Sequence, residues 1–246
     1  MNETSLVNFH THSIFSDGEL PPEVLAANLA LAGVRYAALT DHDTIEGLPR
    51  FEEALKKRGI AFLSGVELTT QFNGREAHLL GLGFDPENPA LIATLLSLRQ
   101  VRNLEVHSIA GSLRRVGSNR TNGTETSPAV SAAPNGRLDI AAAIELIHQA
   151  GGRAFWAHPL TYEADENELD ALLVDLKSWG LDGIEAIYAP YSAAEQARLQ
   201  ALAKKHDLLL CAGTDFHTAN GPGSPTYGID FPREDWIRFR RAVFSS

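Results

Sequence analysis

Short apolar runs alternate with helical periods along nearly the whole chain, and this rhythm restricts the fold more than any other feature of the sequence. Strands are expected at residues 6–10 (LVNFH), 36–40, 61–68, 77–84, 153–158, 183–188 and 208–214. Helical patterns lie between them. Four of these stop at Gly33, Gly59, Gly151 and Gly180, and two more, SAAEQARLQALAKKHD and REDWIRFRRAVF, follow. Proline near a helix start and glycine just past its end is ordinary helix punctuation. Seven strands with helices between them predict an α/β class fold with a parallel sheet, most simply a barrel.

One segment breaks the rhythm. Residues 85–137 hold a helical pattern over about 89–116, then GSNRTNGTETSPAVSAAPNGR, which has little to bury. The expected organisation is therefore a barrel domain from 1–84 and 138–246, with 85–137 an inserted helix plus a flexible polar lid. The insert carries six arginines against four acids, in a chain whose net charge is −10. That overall charge disfavours nonspecific binding to duplex nucleic acid or an anionic membrane. No apolar run is long enough to span a bilayer, and MNETSLVNFH lacks the features of a signal peptide, so a cytoplasmic location is expected. The single cysteine, Cys211, excludes a disulfide framework or a thiolate zinc site within one chain; inside an apolar run it reads as packing, as does Trp156.

The apolar runs end in polar donors. The first carries His10 and His12, with Asp17 shortly after; the second leads to Asp41 and His42; the third holds Glu67; the fourth His78; the fifth ends at His158; the seventh at Asp215 and His217. Residues i and i+2 of a strand share a face, so His10 with His12, and Asp215 with His217, present paired donors. In parallel α/β folds the carboxyl ends of the strands form the active face. Any one of these histidines alone reads as a hydrogen-bonded core or surface residue; six of the nine at successive strand ends beside carboxylates do not. Nine donors exceed what one tetrahedral or octahedral ion takes. Two or three divalent ions fit better, and a mixed nitrogen and oxygen set suits Mn, Zn or Fe. Such ions neutralise and polarise a phosphate and generate a hydroxide nucleophile. Asp41 could orient a ligand histidine or cap the turn. Arg99 and Arg102 could clamp a substrate phosphate or form a solvated helix face. Ser16 could shape the turn before Asp17, and GPGSPTYG, 221–228, could form a mobile rim. No residue presents itself as the general acid.

The blocks HTHSIFSDG, TDHDT, GVE, EAHLLGL, AHP and GTDFH resemble, in order, those of the polymerase and histidinol phosphatase (PHP) family. The resemblance implies a distorted seven-stranded (β/α)7 barrel with a trinuclear metal centre. It further implies one ion held by His10, His12, Glu67 and Asp215, a second by Glu67, His78 and His158, and a third by Asp17, His42 and His217. It implies a metal-dependent phosphoesterase acting on a small phosphorylated metabolite, most simply a nucleotide or short oligonucleotide, by hydroxide attack. The spacing is similar to the small stand-alone branch of nucleotide phosphatases and exonuclease-like enzymes, with a shortened cap insertion. Two other readings stand beside it: an amidohydrolase-like C–N bond hydrolase, and a noncatalytic metal-stabilised binding module.

Overall fold

The computed structural model describes residues 5–111, 137–219 and 226–244. In chain order the strands are β1 (Ser5–Asn8), β2 (Tyr36–Ala38), β3 (Ala61–Leu63), β4 (Gly65–Phe72), β5 (Arg75–Leu82), β6 (Leu138–Asp139), β7 (Arg153–Trp156), β8 (Gly183–Tyr188), β9 (Leu209–Gly213) and β10 (Ile229–Phe231). The helices are α1 (Pro22–Leu31), α2 (Leu48–Lys56), α3 (Pro89–Gly111), α4 (Ile140–Gln149), α5 (Pro159–Tyr162), α6 (Glu166–Ser178), α7 (Ala193–Lys205) and α8 (Arg233–Val243). The alternating α/β order matches the sequence reading. Residues 117–136 of the polar stretch expected to form a lid, and residues 221–225 of the expected rim, lie outside the described residues. Among the described residues no helix is long and apolar enough to cross a membrane.

The expected single parallel barrel requires correction. The strands form two sheets, β10-β1-β2-β3 and β6-β4-β5-β7-β8-β9, and no closed barrel is present among the described residues. The run 61–68 is not one strand: it breaks at Ser64 into β3 and β4, which belong to different sheets. β4 pairs antiparallel with β5, and β5 antiparallel with β7. The cause is the Asn73-Gly74 turn, with φ of 47° and 76°. Two residues with positive φ make a tight hairpin turn, and a two-residue link cannot return a chain to a parallel neighbour.

The sheets meet at two seams. At one, Thr11 bridges Phe216, and Phe9 N donates to Ala212 O at 3.0 Å, His12 N to Phe216 O at 2.9 Å and Asp215 N to His10 O at 2.9 Å. At the other, His42 bridges Glu67 and Asp43 N donates to Glu67 O at 2.9 Å. Six of the nine donors singled out from the sequence therefore sit at or directly beside a seam.

Packing fixes which way these residues point. Phe9 is fully buried and stacks on Phe239 of α8 at 4.7 Å. Because a strand alternates faces, anchoring Phe9 beneath the sheet turns His10 and His12 to the opposite side, and a one-residue slip would bury the wrong set. Trp156 is fully buried against Phe72 and Tyr162, and Cys211 is buried and free. Both are core residues.

Asn8 ties the first seam with side-chain bonds where the ladder is thin. Its Nδ2 donates to Thr214 Oγ1 at 2.8 Å and to Tyr227 O at 3.0 Å, and its Oδ1 accepts from Thr214 N at 3.1 Å. Removing this buried amide leaves partners unsatisfied. Asn8→Leu is expected to cost about 1–3 kcal/mol of unfolding free energy, measured by urea denaturation of chelator-treated protein. An unchanged midpoint would show that the seam does not depend on this side chain.

Candidate metal centre

The nine donors converge around one carboxylate. Glu67, on β4, is 1% exposed. Its Oε2 lies 3.1 Å from His10 Nε2, 3.1 Å from His12 Nε2 and 3.4 Å from His42 Nε2. Its Oε1 lies 3.0 Å from His78 Nδ1 and 3.2 Å from His158 Nε2. Asp215 Oδ1 faces His10 and His12 Nε2 from the other side, 3.1 Å from each. Asp17 Oδ1 lies 3.3 Å from His217 Nε2, and the His217 ring stacks on His12 at 4.0 Å.

Each residue is delivered by its local backbone. The turn from Ser13 to Gly18 carries Asp17 back over the histidine pair, with Ser16 N and Gly18 N both donating to Ser13 O. Asp41 settles its own ambiguity: it is buried and accepts from Ser13 N at 2.7 Å, Ser13 Oγ at 2.7 Å and Ser16 Oγ at 2.6 Å. It holds the turn, and reaches His12 only through Ser16. His158 and Asp215 both sit just past strands with positive φ, 28° and 52°, which swings their side chains in toward Glu67. Arg99 pairs with Glu46 rather than with any of the nine donors; the Arg102 side chain lies outside the described residues. Of the remaining histidines, His148 pairs with Asp182 at 2.6 Å and His206 with Asp170 at 2.7 Å.

Three overlapping groups have ligand atoms close enough to share an ion, all within 4.8 Å of one another: His10, His12, Glu67 and Asp215; His42, Glu67 and His78; and His12, Asp17, His42 and His217. The donor chemistry fits divalent cations. Buried His12 Nε2 and Asp215 Oδ1 make no hydrogen bond of acceptable geometry, although they lie 3.1 Å apart. Ligand atoms that crowd one another without bonding suit a cation shared between them.

Electrostatics agree. Burial alone would push the His12 and His78 rings down, but the Glu67 and Asp215 carboxylates beside His12, and Glu67 and Glu76 beside His78, hold them at about 9 and about 10. His10 is likewise held well above its ordinary range by Glu185, Asp215 and Glu67 against burial. His42 goes the other way, to about 3, because burial outweighs the pull of Glu67. Glu67 is pulled well below the carboxylate range, against burial, by His42, His10 and His78. Without metal, protons on the imidazoles balance the acids.

A match to the PHP domain model covers residues 8–211. The chain belongs to the PHP domain family. Among its relatives, a 5'-3' exoribonuclease of Haemophilus influenzae is 34% identical, over 87% of this chain and 90% of the relative. A 3',5'-nucleoside bisphosphate phosphatase of Chromobacterium violaceum is 29% identical over 90% of each. In structure, a protein of Chromobacterium violaceum described as an amidohydrolase, with bound sulfate and no metal, matches with a TM-score of 0.79 and 26% identity over 96% of both chains. A candidate metal-dependent phosphoesterase from Bifidobacterium adolescentis shares the fold, with a TM-score of 0.69 at 21% identity, over 99% of this chain and 98% of that one.

The sequence reading missed Glu185, Tyr188 and Glu76. Glu185 is fully buried in β8 and lies 3.0 Å from His10 Nδ1; Glu76 lies 3.2 Å from His78 Nε2. A lone carboxylate inside the apolar run GIEAIY was the available signal, since a buried charge demands a partner.

Ions held by His12 and His78 would have to displace protons from both rings. Metal uptake by chelator-treated protein is therefore expected to release protons below about pH 9, with affinity rising with pH until those rings are neutral. The sign for stability follows from the same shifts. The raised His12 and His78 stabilise the metal-free fold fully below the unfolded value of 6.5 and lose that contribution as pH passes about 9 and about 10. Calorimetric titration in two buffers of different ionisation enthalpy reads the proton count; zero protons at pH 7.5 would contradict the arrangement.

Proposed function

We propose that this PHP protein is a divalent-metal-dependent phosphoesterase that hydrolyses a phosphomonoester, or a terminal phosphodiester, of a nucleotide or short oligonucleotide. The observation that carries the reading is Glu67, one buried carboxylate in reach of five imidazoles, shared by two of the three groups that could hold ions. A site built only for structure closes around one ion with four ligands. The names of the Haemophilus and Chromobacterium relatives, an exoribonuclease and a bisphosphate phosphatase, support a nucleotide substrate.

The ligand sets proposed are His10, His12, Glu67 and Asp215 for one ion; Glu67, His78 and His158 for a second, with His42 also near; and Asp17, His42 and His217 for a third, with His12 also near. Mn, Zn and Fe all suit these donors. When bound, such ions lower the pKa of water and neutralise charge on a phosphoryl group. The chain's own part is to fix the donors and to open the cluster on one side. His10, His12 and Glu67 are sealed, whereas Asp17 is 41% exposed and His217 29%. Substrate is expected to approach over Asp17 and His217. Arg99 and Arg102, at the start of the insertion, are proposed to meet the rest of the substrate, Arg99 by leaving Glu46.

The amidohydrolase reading stands second because one structural relative carries that description. A screen of nucleoside 3',5'-bisphosphates, nucleoside monophosphates, 5'-phosphorylated oligoribonucleotides, amides and lactones separates the readings. Phosphoester hydrolysis that vanishes in chelator and returns with Mn or Zn is the expected result. Equal turnover in chelator, or amide cleavage alone, would refute it. Free phosphate against released nucleotide tells phosphatase from exonuclease.

Two substitutions probe the division of ligands. His10→Ala and Asp17→Ala are expected to empty different ion sites, read as metal content per chain and as separate steps in a Mn titration. Loss of the same single ion in both would remove the three-site assignment. Glu67→Gln is expected to lower kcat by more than the roughly 10–100-fold typical of residues that only support a ligand.

A further inference from the structure

Strand β8 contributes none of the nine donors, yet two of its side chains reach the centre. Glu185 Oε1 and Oε2 lie 3.0 and 3.1 Å from His10 Nδ1, and Oε2 also accepts from His158 N at 2.9 Å. Three residues on, the Tyr188 hydroxyl donates to Asp215 Oδ2 at 2.8 Å. In a regular strand, residues three apart face opposite sides. Here the pairing register shifts between Glu185 and Ile187. A bulge of this kind re-aims side chains and lets Glu185 and Tyr188 address the same cluster.

The two contacts share a logic. Each occupies the atom that faces away from the cluster and turns the other atom inward. An ion-bound His10 would keep its hydrogen on Nδ1, against the Glu185 carboxylate, which only accepts, and present Nε2 on the side of Glu67 and Asp215, 3.1 Å from each. With Oδ2 held by Tyr188, Asp215 turns Oδ1 toward His10 and His12. Both braced residues belong to one candidate ion group, His10, His12, Glu67 and Asp215. Space has been kept for the contact: a Cβ on Gly213 would lie 2.4 Å from His10 Cβ and 2.7 Å from Glu185 Oε1.

We propose that Glu185 and Tyr188 are positioning residues for the His10 ion site, Glu185 fixing the tautomer and ring angle of His10 and Tyr188 the carboxylate angle of Asp215. The proposal rests on the metal-dependent reading above. It assigns β8 the task of tuning affinity at the His10 site while leaving the Asp17 site untouched.

The test is a Mn²⁺ titration of chelator-treated full-length protein, wild type against Glu185→Gln and Tyr188→Phe, with thermal melting of the metal-free forms alongside. Both substitutions keep side-chain shape. The expected result is an affinity about 10–100-fold lower at the His10 site in Glu185→Gln, a smaller loss at that same site in Tyr188→Phe, and unchanged binding at the Asp17 site. A merely structural role would lower the melting temperature and leave the isotherms alone, and that outcome overturns the proposal. If Glu185→Gln does not fold, Tyr188→Phe decides: wild-type affinity at every site refutes the assignment. Wild-type protein that binds no Mn²⁺ would sink the metal-dependent reading and this proposal together, whereas normal wild-type binding with unaltered variants sinks this proposal alone.

Discussion

A carboxylate with almost no solvent contact is the constraint around which this fold is arranged. Glu67 would be costly to bury as an anion without compensation, since desolvating an unpaired carboxylate disfavours the charged form. Five imidazoles from four separate chain segments supply that compensation. No single element could do so. The antiparallel β4–β5 hairpin brings His78 beside Glu67, the second seam brings His42, the first seam orients His10 and His12, and the end of β7 brings His158. Convergence of that kind requires the two sheets to be held at a fixed angle. The seams do this with isolated bridges and with side chains such as Asn8 rather than with a long ladder.

The same cluster explains why protons and cations compete for it. Positive charge must sit beside Glu67 and Asp215 whatever the metal state. In its absence the neighbouring His10, His12 and His78 rings are pushed toward the charged form. Imidazolium and a divalent ion are alternative solutions to one electrostatic demand. His42 is the exception: more deeply penalised by burial than rewarded by Glu67, it stays neutral and offers a lone pair without first losing a proton.

Much of this is legible in the sequence. Strands 36–38, 153–156, 183–188 and 209–213 fall within the expected runs, and helices α1, α2, α4 and α6 end just before the four expected glycines. The donor set was legible because most of its members, such as His10, His12, His42, His158 and Asp215, interrupt or follow an apolar run. What failed was direction. An apolar run looks the same parallel or antiparallel, so the hairpin at Asn73-Gly74 was hidden in the word "strand", although that dipeptide is the strongest short hairpin signal. The break at Ser64 was invisible because AFLSGVEL is apolar on both sides of it. β6 and β10 were too short to leave a pattern. Glu185 and Tyr188 were missed because a bulge changes which residues share a face, and periodicity alone cannot reveal a bulge.

The backbone itself bears the cost of convergence. Asp43, His158 and Asp215 adopt φ of 53°, 28° and 52°, values that side-chain-bearing residues rarely take, at about 1–3 kcal/mol each where the conformation is strained. All three lie in or beside the centre, and each is held by a specific bond: Asp43 Oδ1 accepts from Thr69 N at 2.8 Å, His158 N donates to Glu185 at 2.9 Å, and Asp215 N donates to His10 O at 2.9 Å. A regular strand continuation at these points would carry the side chains past Glu67. The left-handed turn stops the strand and redirects His158 and Asp215 inward, and the clamping bonds make that turn the favoured state. Positive φ at His158 and Asp215, with restraints built from the neighbouring strands, suits a rigid cluster of donors. Donors free to relax would close on one another and exclude the cations.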